Sequence, residues 1–188
     1  QRQMCIRDRN YALVISTNGG LWRYIIGDTV RFTSTSPHRI VITGRTKHHI
    51  NVFGEELMIE NAEEALKLAC EKTNAMVAEY SAAPVYMVGK EKGAHEWVIE
   101  FSRDPTDLET FIDELDRGLQ SVNSDYEAKR YNNMTLNRPL IHKARKGLFI
   151  DWMKRRGKLG GQNKIPRLSN TREYICLLYT SDAADDSL

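Results

Sequence analysis

The stretch HEWVIEFSRDPTDLETFIDELDRGL, residues 95–119, decides the fold class, because a strand pattern changes into a helix pattern within it. The segment from His95 to Phe101 alternates in part, with Trp97, Ile99 and Phe101 on one side, which predicts a strand with one buried face. Thr106 and Glu109 form a capping box just after Pro105. The stretch therefore predicts a strand followed by an amphipathic helix, whose apolar face holds Leu108, Phe111, Ile112, Leu115 and Leu119.

Similar patterns extend this mixed arrangement on both sides. Upstream, Asn61 and Glu64 form another capping box, which predicts a helix that ends near Thr73. The remaining predicted elements are a strand over 76–88, a helix extended or restarted over 124–131, a short strand over 139–142, and a last helix that starts at Leu148 and ends at Gly157. The predicted fold class is α+β.

The beginning of the chain predicts strands only. Tyr11–Thr17 and Leu21–Ile26 are rich in β-branched and aromatic residues and flank an Asn-Gly-Gly turn, which predicts a hairpin. We expect a bulge at Gly27 and Asp28 and a third strand over Arg39–Thr43, ended by Gly44. Three strands are too few for an independent domain, so we expect the truncated β-rich end of a large domain whose missing part precedes residue 10.

Composition describes a globular chain. Of its 188 residues, 41% are hydrophobic and 28% charged, and the net charge is +2. No apolar run approaches the roughly 20 residues of a membrane-spanning helix, and the charge gives little reason to expect a nucleic-acid partner. Three cysteines are too few for a disulfide scaffold, which favours a reducing, cytoplasmic compartment.

Both ends of the chain resemble translated sequencing-adapter reads, which are frequent on metagenomic fragments. Residues 1–9 read QRQMCIRDR and residues 176–188 read CLLYTSDAADDSL, so we interpret both as artefactual tails. The expected organisation is then the last strands of the large domain over 10–46 and a small, mobile α+β domain over 47–175.

Three polar segments carry the chemistry of the chain. The first ends in Gly27-Asp28, where a carboxylate after a glycine is able to accept hydrogen bonds from a ribose diol. The second, residues 43–54, contains Arg45 and Lys47, and the third, residues 159–168, places Lys164 after two glycines. Taken singly, each also fits an ordinary turn, linker or basic loop.

In their order, the three segments resemble the adenylate-forming (ANL) superfamily. The pattern is Tyr24-x-x-Gly-Asp28, then Gly44-Arg-x-Lys47 with Ile50-Asn-x-x-Gly-Glu55, then a loop lysine. The block Gln-x-Lys-x-Pro-Arg at 162–167 resembles the auxin-responsive promoter family, whose plant members are acyl-acid amido synthetases. The resemblance covers 10–175 and corresponds to the C-terminal part of a longer, bacterial protein.

The resemblance implies a two-step, ATP-dependent ligase. A carboxylic acid would react with ATP to give an acyl-adenylate, and an amine such as an amino acid would then displace AMP. Asp28 would hold the ribose hydroxyls, Tyr24 would line the nucleotide pocket, and Arg45 would contact ribose or phosphate. Lys47 would be the hinge, and Lys164 would stabilise charge that develops on the carboxylate and α-phosphate. ATP with Mg²⁺ is the expected cofactor, and no metal site in the protein is expected.

Two alternatives stay open at this stage. The parent is an acyl-CoA ligase if its acceptor is a thiol, or the chain is a non-catalytic α+β binding or regulatory domain whose motifs are turns and linkers. The chain contains no Ser/Thr/Gly-rich phosphate loop, so the fragment alone is expected to be inactive.

The other reactive or charged residues have ordinary interpretations. Cys70 is expected in the core, and neither His95 nor His142 is expected to be catalytic. A basic stretch over 143–158 is interpreted as a solvated face or a general attraction for ATP phosphates. The acidic residues Glu55, Glu56, Glu60, Glu63 and Glu64 are assigned to helix N-terminal electrostatics.

Overall fold

A computed structural model describes residues 9–45, 49–89, 91–131, 135–158, 160 and 164–183. The chain divides into two compact units, residues 1–48 and 49–188.

The first unit is an antiparallel sheet in the order β1-β2-β3, with β1 at Asn10–Ile15, β2 at Tyr24–Thr35 and β3 at His38–Arg45. The predicted hairpin is confirmed, and the Thr17 N–H donates to the Leu21 carbonyl at 2.8 Å in its connection. The predicted bulge is also confirmed, since β2 has extra residues between its pairings with Ala12 and Val14. The third strand runs past Gly44, where it was expected to end.

The second unit alternates short strands and helices. Its elements are β4 at His49–Ile50, β5 at Leu57–Met58, α1 at Ile59–Thr73, β6 at Met76–Val85, β7 at Ala94–Arg103, α2 at Leu108–Val122, α3 at Ser124–Arg130, β8 at Leu140–Ala144, α4 at Leu148–Arg155 and α5 at Glu173–Ala183. The α+β class predicted from the sequence is confirmed.

A three-stranded sheet in the order β6-β7-β8 forms the middle of this unit. β6 and β7 are antiparallel, whereas β7 and β8 are parallel, so the chain has to cross over between them through α2 and α3. Successive side chains of β7 enter different cores. Trp97 and Ile99 pack with α1 and α2, and Val98 packs with α4 and α5. Helices therefore cover both faces of the sheet, and the prediction that β7 has only one buried face is wrong.

Two predicted helix starts are wrong by one to three residues, for reasons of tertiary contact. Asn61 is not the N-cap of α1, because β5 leads directly into the helix. Its side chain instead accepts a hydrogen bond from the Met58 N–H at 3.1 Å. In α2 the cap is Asp107, which accepts from the Thr110 N–H at 2.8 Å. Thr106 is unavailable because it donates to the carbonyl of Thr73 at the end of α1.

Helix α5 extends into the segment interpreted as an artefactual tail. Ile175 and Leu178 are buried in the core formed with α4, and the Tyr179 hydroxyl donates to Glu96 at 2.7 Å. Residues 176–179 are thus part of the packed unit, and their origin stays a prediction. None of the helices within the described ranges is long and apolar enough to span a lipid bilayer.

Candidate functional site

The first unit positions Tyr24 and Asp28 on the same strand, at either side of the bulge. Tyr24 is 52% exposed, and Asp28 is partly buried. Gly27 between them has φ +91°, a conformation that glycine adopts without the strain a side chain would cause. The bulge bends the strand there and sets the direction of the following carboxylate.

Asp28 and Arg45 are brought together by the sheet register. Their Cα atoms are partners in the β2–β3 pairing, so two of the predicted site residues, 17 positions apart in the chain, lie side by side. Lys47, predicted as the hinge, lies outside the described residues. The first unit therefore joins Tyr24, Asp28 and Arg45 in one small sheet.

The second unit carries Lys164, which is exposed, two residues before a firmly held segment, residues 166–169, which we call the anchor segment. The Ala82 N–H donates to the Arg167 carbonyl at 2.8 Å, and the Ser169 N–H donates to the Ala82 carbonyl at 3.0 Å. Leu168 between them is only 1% exposed and belongs to the core. The anchor segment is thus a short parallel addition to the edge of β6.

A set of charges holds the side chain of Arg167. Its Nε lies 3.3 Å from Glu79 Oε1, and its Nη1 is hydrogen-bonded to Glu63 Oε1. The guanidinium also lies over the ring of Tyr80, 5.4 Å from the centroid. Burial opposes its charge, but Glu79, Tyr80 and Glu63 outweigh burial and raise the pKa of Arg167. We call Arg167, Glu63 and Glu79 the carboxylate clamp. It ties the anchor segment to both α1 and β6.

A buried ion pair holds the hairpin that follows the predicted hinge. Glu55, between β4 and β5, lies 2.8 Å through Oε1 from His95 Nε2 on β7, and both side chains are 0% exposed. The second oxygen of Glu55 accepts the Phe53 N–H at 2.7 Å, and its carbonyl accepts from Asn123 at 2.9 Å. Burial alone raises the pKa of Glu55, but the hydrogen bond and charge of His95 outweigh it and hold the pKa below its usual value.

These contacts correct the interpretation of the acidic run. Glu55 is not a helix-terminus charge but a buried partner of His95, and Glu63 pairs with Arg167. Glu55 ends the Ile-Asn-x-x-Gly-Glu pattern and Arg167 ends the Gln-x-Lys-x-Pro-Arg block, but neither motif specifies the partner of its charged residue. Cys70 is half-buried against the core, as expected.

Comparison with known proteins identifies the class to which these two units belong. Residues 5–45 match the GH3 family central domain, and residues 60–173, more than half of the chain, match the GH3 family C-terminal domain. The chain belongs to the GH3 family. The auxin-responsive family resemblance predicted from the motifs is therefore confirmed.

Solved structures agree with this assignment at the level of the fold. A GH3.15 acyl acid amido synthetase superposes with a TM-score of 0.73 at 19% identity, over 94% of this chain and 35% of that chain. AtGH3.15 acyl acid amido synthetase in complex with 2,4-DB gives a TM-score of 0.70 at 19% identity, over 92% and 32%. This chain thus spans about a third of the length of either protein. No curated protein sequence matches it.

Proposed function

We propose that the chain is the C-terminal part of an ATP-dependent acyl-acid amido synthetase-like ligase. In the first step, a carboxylate oxygen bonds to the α-phosphorus of ATP, and the bond to the β-phosphate oxygen breaks to release pyrophosphate. In the second, an amine nitrogen bonds to the acyl carbon, AMP leaves, and the nitrogen loses a proton. The acceptor class proposed is an amino acid.

The observation that carries this proposal is the form of the third motif in a GH3-family chain. Lys164 is exposed, yet the residues immediately after it are tied into the sheet. An exposed ammonium on a firmly held base suits the delivery of charge to a reacting phosphate, because preorganised charge costs little reorganisation during the reaction. A lysine packed in a core would have favoured the non-catalytic domain.

The nucleotide is proposed to bind at the first unit. Asp28, partly buried beside the bulge, offers a carboxylate that accepts from both hydroxyls of a ribose. The exposed Tyr24 ring is available to line the base pocket, and Arg45 is assigned to ribose or phosphate. The described residues hold no group of three His, Cys, Asp or Glu side chains arranged for a metal. We therefore assign Mg²⁺ mainly to the phosphate oxygens of ATP.

The exposed apolar residues of the first unit support a further part of the proposal. Trp22 is 81% exposed, and Ile25 and Ile42 are also open to solvent. A small sheet with so much exposed apolar surface is typical of an interaction face. We propose that these residues pack within a larger N-terminal domain, as expected for the truncated domain over 10–46. Lys47 is proposed as the hinge between it and the domain over 47–175.

The test uses the full-length parent protein. Pyrophosphate release is measured with a panel of carboxylic acids, and product formation is then measured with amino acids or CoA as acceptor. We expect amide products and a loss of at least about 10²-fold in the adenylation rate for Lys164→Ala. Lys72→Ala, which removes an exposed lysine in the last turn of α1, is the control.

Each other outcome contradicts a specific part of the proposal. Thioester formation with CoA and no amide would make the parent an acyl-CoA ligase. Unchanged amide formation in Lys164→Ala would remove that lysine from the mechanism. Absence of pyrophosphate release with every acid would favour a binding or regulatory domain. The 188-residue chain alone is expected to release no pyrophosphate.

A further inference from the structure

We infer that the carboxylate clamp positions Lys164, which makes Arg167 a positioning residue of the proposed ligase and not a ligand of its nucleotide. The inference rests on the proposed function, since it assigns a task to the segment that carries the proposed catalytic lysine. It starts from the finding that the Arg167 side chain is directed to two carboxylates, one on α1 and one on β6.

Arg167 follows Lys164 by three residues, so the clamp restricts where Lys164 lies. Three residues of chain span at most about 10 Å, so fixing Arg167 confines the Lys164 backbone to a small volume. The Pro166 carbonyl, two residues after Lys164, also accepts a hydrogen bond from the Ser81 hydroxyl at 2.8 Å. The anchor segment therefore limits where Lys164 lies.

The charge balance argues against a direct role of Arg167 in phosphate binding. One guanidinium faces the carboxylates of Glu63 and Glu79, so the clamp as a whole has a formal charge of −1. The Arg167 guanidinium also contacts the ring of Tyr80, and that ring stacks on the buried Trp97 at 5.7 Å between centroids. These contacts fix a side chain in place, whereas a phosphate ligand needs a cation that is not already neutralised.

Removal of the two glutamates distinguishes a positioning role from an electrostatic one, because the two roles predict opposite changes in the adenylation rate. If the clamp acts through its charge, removing the carboxylates makes the surroundings of Lys164 more positive. Binding and adenylation with anionic ATP should then improve. If the clamp acts by position, the loss of either side frees the anchor segment, and adenylation should slow. The double variant Glu63→Gln with Glu79→Gln therefore decides between them.

The kinetic experiment uses the full-length parent and measures pyrophosphate release as a function of ATP concentration. We expect Arg167→Met to lower kcat by about 10- to 100-fold with KM for ATP within about threefold, since small displacements of a catalytic group have large effects on rate. The Glu63→Gln/Glu79→Gln variant should also be slower. Arg167→Lys should recover only part of the rate, because an ammonium does not reproduce the two-directional fork of guanidinium.

A matched control removes an arginine that also bridges two carboxylates, away from Lys164 in the chain. Arg138 contacts Glu109 and Asp113 on α2, so Arg138→Met deletes a comparable ion-pair set. It should leave kcat and KM unchanged. A rise in KM alone for Arg167→Met, or a faster Glu63→Gln/Glu79→Gln enzyme, would overturn the positioning role.

A second measurement does not depend on activity. Hydrogen exchange of the 188-residue chain reports the Ala82 and Ser169 amides, whose hydrogen bonds hold the anchor segment. We expect both to exchange at least about tenfold faster in Arg167→Met, with β7 amides unchanged, since local opening raises exchange without global unfolding. Unchanged exchange at both amides would refute the clamp. If the full-length parent released no pyrophosphate with any acid, the proposed function would fail, while this exchange result would still decide whether the clamp holds the segment.

Discussion

Removal of the Glu55 carboxylate should destabilise the second unit more than removal of any exposed carboxylate in the chain. In Glu55→Ala, His95 loses its only hydrogen-bond partner among the described residues, and the Phe53 N–H loses its acceptor. A carboxylate accepts only, so Nε2 of His95 carries the proton and Nδ1 is already without a partner. The variant therefore leaves a wholly unsatisfied imidazole in the core.

The size of the effect follows from the burial of both side chains. Glu55→Ala removes two hydrogen bonds to a charged group, at about 1.5–3 kcal/mol each, so we expect a cost of about 3–6 kcal/mol. For a domain of this size, that corresponds to a fall in Tm of about 6–24 °C. Glu55→Gln should cost less, because an amide is able to donate to the other tautomer of His95.

The assay is urea denaturation of the 188-residue chain followed by tryptophan fluorescence. Trp97 and Trp152 are buried in the two cores of the second unit, so their signal reports its unfolding, whereas Trp22 is exposed in the first unit. Glu109→Gln, at an exposed ion pair with Arg138, is the control and should cost at most about 1 kcal/mol. A cost below about 1 kcal/mol for Glu55→Ala would refute the reasoning.

The same pair predicts the sign of a pH effect. The pKa of Glu55 is lower in the folded chain, so its ionisation stabilises the fold above the ordinary glutamate pKa of about 4.3, and this contribution is lost as pH falls through the folded value. The stability difference between the wild type and Glu55→Gln should therefore be largest near neutral pH and shrink below about pH 4. A difference that grows on acidification would contradict this account.

Three further substitutions test contacts within the second unit by urea denaturation. Asp116→Ala should cost about 3–5 kcal/mol, because Asp116 accepts from Arg130 at 2.6 and 2.7 Å in a mostly buried pair; a cost below about 1 kcal/mol would contradict it. Gly118→Val should cost about 1–3 kcal/mol, since even a Cβ there would lie 3.0 Å from the Cα of Ala65; an unchanged stability would show that the helices separate freely. Asn123→Ala should cost about 1–2 kcal/mol, because it removes both the α3 cap and the donor to the Glu55 carbonyl, and Asn123→Asp should recover only part of this, since it keeps the cap acceptor but not the donor.

Local patterns accounted for the elements of the fold but not for their ends. Of the five residues predicted for the apolar face of α2, Phe111, Ile112, Leu115 and Leu119 are buried, whereas Leu108 is only partly buried. The start of α2 was predicted one residue too early, because the Thr106 hydroxyl donates to the end of α1 and Asp107 caps the helix instead. The periodicity of apolar residues predicts which face of an element is buried. The position of a helix start also depends on hydrogen bonds that its first residues make with other elements.

The candidate site was likewise predicted only in part from the sequence. The motifs placed Tyr24, Asp28, Arg45 and Lys164 in order, and the sheet register then put Asp28 opposite Arg45. No local pattern predicted the clamp or the buried pair. Glu63 and Arg167 are 104 residues apart, and Glu55 and His95 are 40 apart. A charged side chain in a polar stretch of sequence is expected to be solvated. Whether it is buried depends on a partner from another element, which the sequence does not specify.

The sequence by itself determined the α+β class, the hairpin with its bulge, the amphipathic helices and the family resemblance, because these follow from spacing along the chain. Only the tertiary structure decided which charges are buried, how the segment after Lys164 is held to β6, and why His95 has a partner at all. The physical reason is that burial and pairing are properties of elements packed together. The free energy of a carboxylate such as Glu55 depends on what faces it across the core, and its neighbours in sequence do not specify that.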